Sequence, residues 1–219
     1  MIVAEQKPIQ AILATLQGAD SVLLAGCRGC VTVCGAGGEK EVRVLASLLK
    51  SARNEQGRPI RVDTAVVERQ CEPEFVDELP YSRDDHDAVL SMACGAGVQL
   101  VAERLQDAIV LPALDTTFIG VSEGKGTWVE RCKACGDCKL HLTAGICPVT
   151  RCSKGLLNGP CGGSSNGACE VDPSIPCAWQ LIVDRLERLG MLDRYEEIIM
   201  PADWSEYGKP SSMDRGDIK

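Results

Sequence analysis

The segment from residue 132 to residue 177 constrains the fold of this chain most, because it contains eight of the thirteen cysteines. It reads C-K-A-C-G-D-C, then I-C-P-V-T-R-C-S-K-G-L-L-N-G-P-C-G-G, and finally A-C-E-V-D-P-S-I-P-C. Glycine, proline and asparagine recur between the cysteines, and such a composition cannot build a conventional apolar core. We therefore expect bound inorganic groups to hold the segment together.

Composition narrows the class of protein. The cysteines are odd in number, and residues 1–7 offer neither a basic nor an apolar stretch, so we expect a cytoplasmic protein rather than a secreted disulfide scaffold. No apolar run approaches the ~18 residues that span a bilayer, so no membrane insertion is expected. The formal charge of −8 repels phosphates and disfavours nucleic-acid binding.

The first half of the chain alternates between two hydrophobic patterns. Helical spacing appears in residues 9–16, after the Gly37–Gly38 pair, and in residues 73–79 and 98–105, whereas strand-sized apolar runs occupy residues 21–25, 61–67, 88–92 and 108–114. Strands separated by helices predict a mainly parallel sheet of about four strands with helices on its faces. The fold class is therefore α/β, with a small Rossmann-like domain first.

The remainder of the chain has a different character. Residues 178–189 show apolar positions at helical spacing, and a second helical piece is predicted over residues 192–199. We predict three regions: the Rossmann-like domain over residues 1–126, a metal-bound cysteine module with its C-terminal helix over 127–200, and a polar tail over 201–219.

Five further cysteines follow the predicted strands. Cys27, Cys30 and Cys34 come after the first strand, Cys71 after the second and Cys94 after the third. Ligands of open α/β sheets bind beyond the carboxyl ends of the strands, so these thiols are expected to converge there. The preferred ligand set is Cys30, Cys34, Cys71 and Cys94, with Cys27 as a substitute or a buried thiol. Ordinary buried thiols are the competing interpretation.

The cysteine module offers two sets of four ligands. The C-x2-C-x2-C spacing of Cys132, Cys135 and Cys138, with the Cys-Pro pair at Cys147, resembles the ligand pattern of a [4Fe–4S] cluster. The second set comprises Cys152, Cys161, Cys169 and Cys177. A competing partition groups Cys132, Cys135, Cys147 and Cys152 as C-x2-C-x11-C-x4-C, which suits tetrahedral zinc. We expect two or three [4Fe–4S] clusters, with zinc at one site as the alternative.

No catalytic residue is predicted in this chain. Gly35 to Gly38 lack the G-x-G-x-x-G spacing of a dinucleotide site, and cysteines occupy the turn that a pyrophosphate would need. His86 and His141 are the only histidines, and neither has a nucleophile in a triad pattern beside it. We expect both to be surface or local hydrogen-bonding residues.

Several motifs together resemble a known family. They are the long motif over residues 147–163, C-E-V-D-P-S-I-P-C-A-W-Q-L-I from residue 169, G-G-E-K-E-V from Gly37, V-V-E-R-Q-C from Val66 and A-C-G-A-G-V-Q from Ala93. In this order they resemble the MetV-type small subunit of bacterial methylenetetrahydrofolate reductases, over roughly residues 8–200. A related C-terminal domain also carries the name of that reductase.

The resemblance implies an iron–sulfur subunit in one-carbon (folate) metabolism, including the Wood–Ljungdahl pathway. Its expected partner is the flavin-containing catalytic subunit, which binds methylenetetrahydrofolate and transfers the hydride, in a hetero-oligomer. The electrons are expected from an external donor protein or from further redox subunits. The chain itself is then a non-catalytic electron-transfer subunit of an oxidoreductase complex.

Two hypotheses therefore stand. The first is an electron relay, and the second is a zinc-binding scaffold that stabilises the reductase and carries no electrons. The helix over residues 178–189 and the tail around Trp204 and Tyr207 are predicted to dock other subunits. The alternative is that this helix covers the chain's own core.

Overall fold

The computed structural model describes residues 1–201, 203–205, 210 and 212–213. The chain divides into two compact units, Met1–Val129 and Glu130–Lys219. Tyr207, one of the predicted docking residues, lies outside the described residues.

The helices and strands alternate through most of the first unit. In chain order they are β1 (Ile2–Gln6), α1 (Ile9–Thr15), β2 (Ser21–Cys27), α2 (Cys30–Val33), α3 (Glu39–Glu55), β3 (Arg61–Val67), α4 (Pro73–Val76), β4 (Ala88–Met92), α5 (Gly95–Arg104), β5 (Val110–Pro112), β6 (Leu114–Gly124), β7 (Thr127–Cys132), α6 (Pro148–Arg151), α7 (Ala178–Arg188) and a 3-10 helix (Leu192–Glu196).

A four-stranded parallel sheet organises the first unit. Its strand order is β3-β2-β4-β5, and β2 pairs with both β3 and β4 in parallel. Strands β2 and β4 are almost entirely buried, as continuous apolar runs in a sheet covered on both faces should be. The predicted α/β class with a parallel sheet of about four strands is confirmed.

Helix α3 shows why the crossovers form. Glu41, in its first turn, accepts a hydrogen bond from the backbone N–H of Gly38 at 3.1 Å, which satisfies one amide at the helix start. Val42, Leu45 and Leu49 recur at helical spacing and are buried in the core beneath the sheet. This face of α3 packs on strands β2 and β3.

A second, three-stranded sheet was not expected from the sequence. Its order is β1-β6-β7, and β1 runs antiparallel to β6. The apolar run predicted as one strand over residues 108–114 is in fact divided between β5 and the start of β6. A hairpin joins β6 to β7 through Gly124, Lys125 and Gly126, which all adopt positive φ.

The second unit contains few regular elements. Its small core includes Trp179, Ile182 and Leu186 of α7 together with Ile199, and Leu142, Ile146 and Leu157 pack against them. The apolar face of α7 therefore covers the core of its own unit, which was the alternative to a docking role. The predicted helical piece over residues 192–199 is a short 3-10 helix.

Among the described residues, no helix has both the length and the apolar character that crossing a membrane requires.

Candidate metal centres

Four cysteines of the second unit line one cavity. Cys132, Cys135, Cys138 and Cys147 surround a space of about 230 Å³, and the same cavity is lined by Leu140, Pro148 and Val149. Cys132 is the last residue of β7, Cys135 and Cys138 come from the loop that follows it, and Cys147 is the N-cap of α6. The structure thus brings together the first predicted set of four.

The backbone of this loop turns toward sulfur. Ala134 and Gly136 adopt positive φ, and the N–H of Ala134 donates to the Sγ of Cys132 at 3.3 Å. The thiol of Cys147 lies 3.5 Å from the hydroxyl of Thr150. Successive amides that turn in this way form concave anion sites, and iron–sulfur proteins use the same arrangement.

The other four cysteines of the unit line a second, tighter cavity. Cys152, Cys161, Cys169 and Cys177 surround about 20 Å³, together with Arg151, Lys154, Ser164, Glu170, Ala178 and Trp179. The structure therefore groups Cys152 with the second predicted set of four, whereas the zinc partition of the sequence grouped it with Cys147.

Hydrogen bonds favour thiolates in the second cavity. The hydroxyl of Ser153 and the backbone N–H of Val171 lower the pKa of Cys169 below its ordinary value. Burial raises the pKa of Cys177, but the Ser164 hydroxyl and the amides at the start of α7 outweigh burial and lower it overall. Thiolates are the form that binds iron or zinc.

An ion pair closes the wall of the second cavity. Lys154 and Glu170, which both line it, form this pair across sixteen residues of sequence. Gly163 packs directly against the pair, since a Cβ at this position would lie 1.1 Å from a carboxylate oxygen of Glu170. The stretch that carries Cys161 and Ser164 is therefore held against the Cys169 loop.

One helical turn connects the two cavities. Cys147 is the N-cap of α6 and Cys152 is its C-cap, so only the four residues of this helix separate a cysteine of the first cavity from one of the second. The five residue steps from Cys147 to Cys152 correspond to roughly 8 Å along a helix axis. The two sets of thiols are therefore neighbours through the chain itself.

Each of the two cavities is lined by four thiols, the donor type that iron–sulfur clusters use. All thirteen cysteines belong to the described residues, and each is a free thiol. Four cysteines per cavity provide the all-thiolate set that [4Fe–4S] clusters use, and the same set also suits structural zinc. Among the described residues, no group of three or more His, Cys, Asp or Glu side chains lies in an arrangement that could hold a metal ion.

Three of the upstream cysteines approach one another at the carboxyl edge of the parallel sheet. Cys27 ends β2, Cys71 follows β3 and Cys94 caps α5 after β4. Burial raises the pKa of Cys71, and the neighbouring Cys27 and Cys94 raise it further. Cys27 and Cys94 are therefore the cysteines that act electrostatically on Cys71.

The other two upstream cysteines lie on α2. Cys30 is the first residue of this helix and Cys34 is its C-cap. The thiol of Cys34 lies 3.7 Å from the carbonyl of Ala4 in β1 and 3.5 Å from that of Val31. The ligand set that combines Cys30 and Cys34 with Cys71 and Cys94 stays a prediction.

A buried amide supports the loop that carries Cys71. Gln70 is fully buried, and its side chain donates to the carbonyls of Ala25 and Gly26 at 2.9 and 3.0 Å. It also accepts a hydrogen bond from the Ser91 hydroxyl at 2.6 Å. One side chain thus joins the loop after β3 to the carboxyl ends of β2 and β4.

The histidines occupy local hydrogen-bonding positions. His86 is buried, its Nε2 lies 3.1 Å from a carboxylate oxygen of Asp63, and its Nδ1 accepts from the backbone N–H of Ser82 at 3.4 Å. His141 is exposed, and its carbonyl accepts a hydrogen bond from Arg194.

The hydroxyl groups beside the thiols were not predicted from the sequence. Ser153, Ser164 and Thr150 each approach a cysteine sulfur of one of the two cavities. The sequence contains a weak indication of these contacts, because Ser153 directly follows Cys152 and Thr150 lies between two cysteines of different sets.

A family model matches part of the chain. No curated protein matches the chain, and no solved structure matches it. Residues 111–205 match the family described as "Methylene-tetrahydrofolate reductase C terminal". This match covers both cysteine-lined cavities and α7, and it relates the cysteine-rich part of the chain to the C-terminal domain family of that reductase.

Proposed function

We propose that this chain is an iron–sulfur subunit that relays electrons to or from a flavin-containing methylenetetrahydrofolate reductase subunit. One observation carries the proposal: the segment that matches the reductase C-terminal family also folds its eight cysteines around two cavities, four to each. A [4Fe–4S] cluster bound by such a set supplies reversible one-electron transfer.

In this proposal, side chains and amides of the chain bind the clusters, compensate their charge and restrict water around them. Cys132, Cys135, Cys138 and Cys147 would hold one cluster, and Cys152, Cys161, Cys169 and Cys177 the other. The amide of Ala134 and those at the start of α7 point toward sulfur and compensate negative charge there. Apolar side chains restrict water on one side of each cavity, for example Leu140 in the first and Trp179 in the second.

The arrangement suits a relay because α6 joins the two cavities through a single turn. The cysteines at the carboxyl edge of the sheet are proposed as a third site, with Cys27, Cys71 and Cys94 as its nucleus. Electrons would enter from an external donor protein or a further redox subunit and leave toward the flavin of the catalytic subunit, which transfers the hydride. We place this complex in the folate metabolism of the cytoplasm.

Exposed apolar residues near the end of the described chain are proposed to contact the partner. Leu189 is 51% exposed, Ile198 79% and Met200 70%, and Trp204 is 44% exposed. The cost of leaving such groups in water is removed when a second subunit covers them. We propose this surface as the partner contact instead of the apolar face of α7, because that face is already buried in the core of its own unit.

The decisive experiment is metal analysis of protein purified anaerobically. We expect a brown protein with about four iron and four sulfide per cysteine-lined cavity and an EPR signal after reduction with dithionite. Replacing Cys135 by Ala should remove about four iron, while replacing the exposed Ser165 by Ala should leave the iron content unchanged.

A zinc scaffold is the second candidate, because four thiols also suit tetrahedral zinc. Colourless protein with about one zinc per cavity and no EPR signal would establish the scaffold and exclude the relay. A mixed result, with iron in one cavity and zinc in the other, would exclude electron transfer between the two.

The partner is tested by co-purification with the reductase catalytic subunit. Replacing the exposed Ile198 and Met200 together by Asp should greatly weaken co-purification while iron binding persists. Undiminished binding of this variant would show that the proposed contact surface is wrong, and retained iron distinguishes that result from misfolding.

A further inference from the structure

Two serine hydroxyls act on cysteine thiols of the second cavity. Ser153 Oγ lies 3.5 Å from Cys169 Sγ, and the Ser164 hydroxyl is one of the groups that lower the pKa of Cys177. Ser164 also lines the cavity. Two of the four cysteines of this set thus have a hydroxyl partner.

The direction of these hydrogen bonds follows from the state of sulfur. A free thiol can donate to a hydroxyl oxygen, as Cys169 does to Ser153. A thiolate that binds iron has no proton and can only accept, so the serine O–H must become the donor. Each hydroxyl then places a partial positive charge beside a sulfur that becomes more negative on reduction.

The chain holds both hydroxyls in place. The hydroxyl of Ser153 is the largest influence that lowers the pKa of Cys169, and its Oγ lies 3.5 Å from that sulfur. Ser164 follows Gly163, which packs against Glu170 of the Lys154 ion pair.

We propose that Ser153 and Ser164 are positioning residues that raise the reduction potential of the cluster held by Cys152, Cys161, Cys169 and Cys177. This inference rests on the proposed iron–sulfur function. It adds that the two centres of the unit are tuned separately, because the first cavity has its own hydroxyl at Thr150, beside Cys147.

The test is a potentiometric titration of the anaerobically purified full-length protein, followed by EPR, with dithionite as reductant. Ser153→Ala and Ser164→Ala should each make one cluster harder to reduce, by about three- to tenfold in the reduction equilibrium. Tenfold corresponds to about 59 mV for a one-electron couple. The other cluster should not change.

Matched variants separate tuning from structure. Ser165→Ala is the same substitution one residue away, at an exposed side chain whose backbone pairs with Ala168, and it should leave both potentials unchanged. Ser164→Thr keeps the hydroxyl and should restore the wild-type value. Thr150→Val should shift only the cluster that the serine variants leave unchanged.

The results of these measurements separate a failure of this inference from a failure of the proposed function on which it rests. Wild-type protein without iron would overturn the proposed function itself. Iron present, with potentials that do not respond to Ser153→Ala and Ser164→Ala, or that respond equally to Ser165→Ala, would overturn only the tuning role.

A measurement on the wild-type protein tests the inference even if the serine variants fail to bind a cluster. ENDOR spectroscopy of the reduced protein in H2O and D2O should detect exchangeable hydroxyl protons coupled to one cluster. An absence of such protons in the loaded protein would overturn the inference without any variant.

Discussion

At the scale of single residues, Gln70 has the largest structural consequence for the sheet edge. Its buried amide satisfies two carbonyls of β2 and the hydroxyl of Ser91 in β4. A buried polar group that loses its partner costs about 1–3 kcal/mol, whereas a hydrogen bond that is exchanged for water costs less. Gln70 therefore stabilises the loop of Cys71 as well as the ends of two strands.

We predict that Gln70→Leu lowers the free energy of unfolding of the first unit by about 2–3 kcal/mol, because it leaves buried polar groups without their partner. Urea unfolding monitored by circular dichroism measures the change. The matched control is Gln99→Leu on α5, where the side chain is exposed and the change should stay within about 0.5 kcal/mol. Equal effects of the two variants would contradict a role for the buried amide.

The cysteines show what single-residue reasoning could and could not predict. Spacing alone predicted two sets of four, and the structure lines two cavities with the same sets. Cys27, which acts electrostatically on Cys71, was predicted only as a substitute ligand or a buried thiol. The ends of the strands predict that a cysteine lies at the carboxyl edge of the sheet, but not how far it lies from the other cysteines. The hydroxyls of Ser153 and Ser164 could not be predicted, because the folds of two separate loops bring them to sulfur.

At the scale of secondary-structure elements, α7 decides the stability of the second unit. Ile182 and Leu186 are almost fully buried in a core that includes only a few other large side chains. When a side chain in so small a core is shortened, the neighbouring side chains cannot fill the space that it leaves. The helix is therefore the main apolar support of the second cavity, whose Cys177 is its N-cap.

Ile182→Ala should destabilise the second unit by about 2–5 kcal/mol, through lost burial and an unfilled cavity. Hydrogen exchange of the α7 amides measures this locally, and amides of the parallel sheet should keep their protection. Leu189→Ala, at a side chain that is 51% exposed, is the control and should have little effect. A comparable loss of α7 protection in both variants would show that burial does not explain the stability.

The strands differ in how far the sequence predicted them. Strands β2, β3 and β4 are apolar runs bounded by helical segments, and such runs are the strongest signal in a parallel sheet. The antiparallel sheet was missed because β6 carries exposed threonines and acidic residues, so its alternation is weak. The Gly-Lys-Gly turn at residues 124–126, between two segments rich in β-branched residues, was the available signal.

At the scale of the whole molecule, the two units obtain their stability from different sources. The first has an apolar core on both faces of its sheet, formed by two clusters of buried residues. The second has one small core and long stretches of loop between its cysteines. Ligand binding to the folded state contributes stability that depends on the ligand, so the units should respond differently to metal.

We predict that removal of iron destabilises residues 132–177 by about 3 kcal/mol or more, because binding to the folded state alone contributes this at a hundredfold excess over Kd. Hydrogen exchange of loaded and iron-free protein measures the loss. Amides of β2 and β4 serve as the internal control and should keep their protection. Equal loss in both units would contradict separate sources of stability.

The four residues of α6 set the spacing between the two sets of cysteines. Cys147 and Cys152 cap the same turn, so their separation depends on the number of residues between them more than on their identity. One inserted residue would rotate everything after it by about 100° and add about 1.5 Å, which would carry Cys152 away from its three companions. Substitutions between the two cysteines can therefore be accommodated, but insertions and deletions cannot.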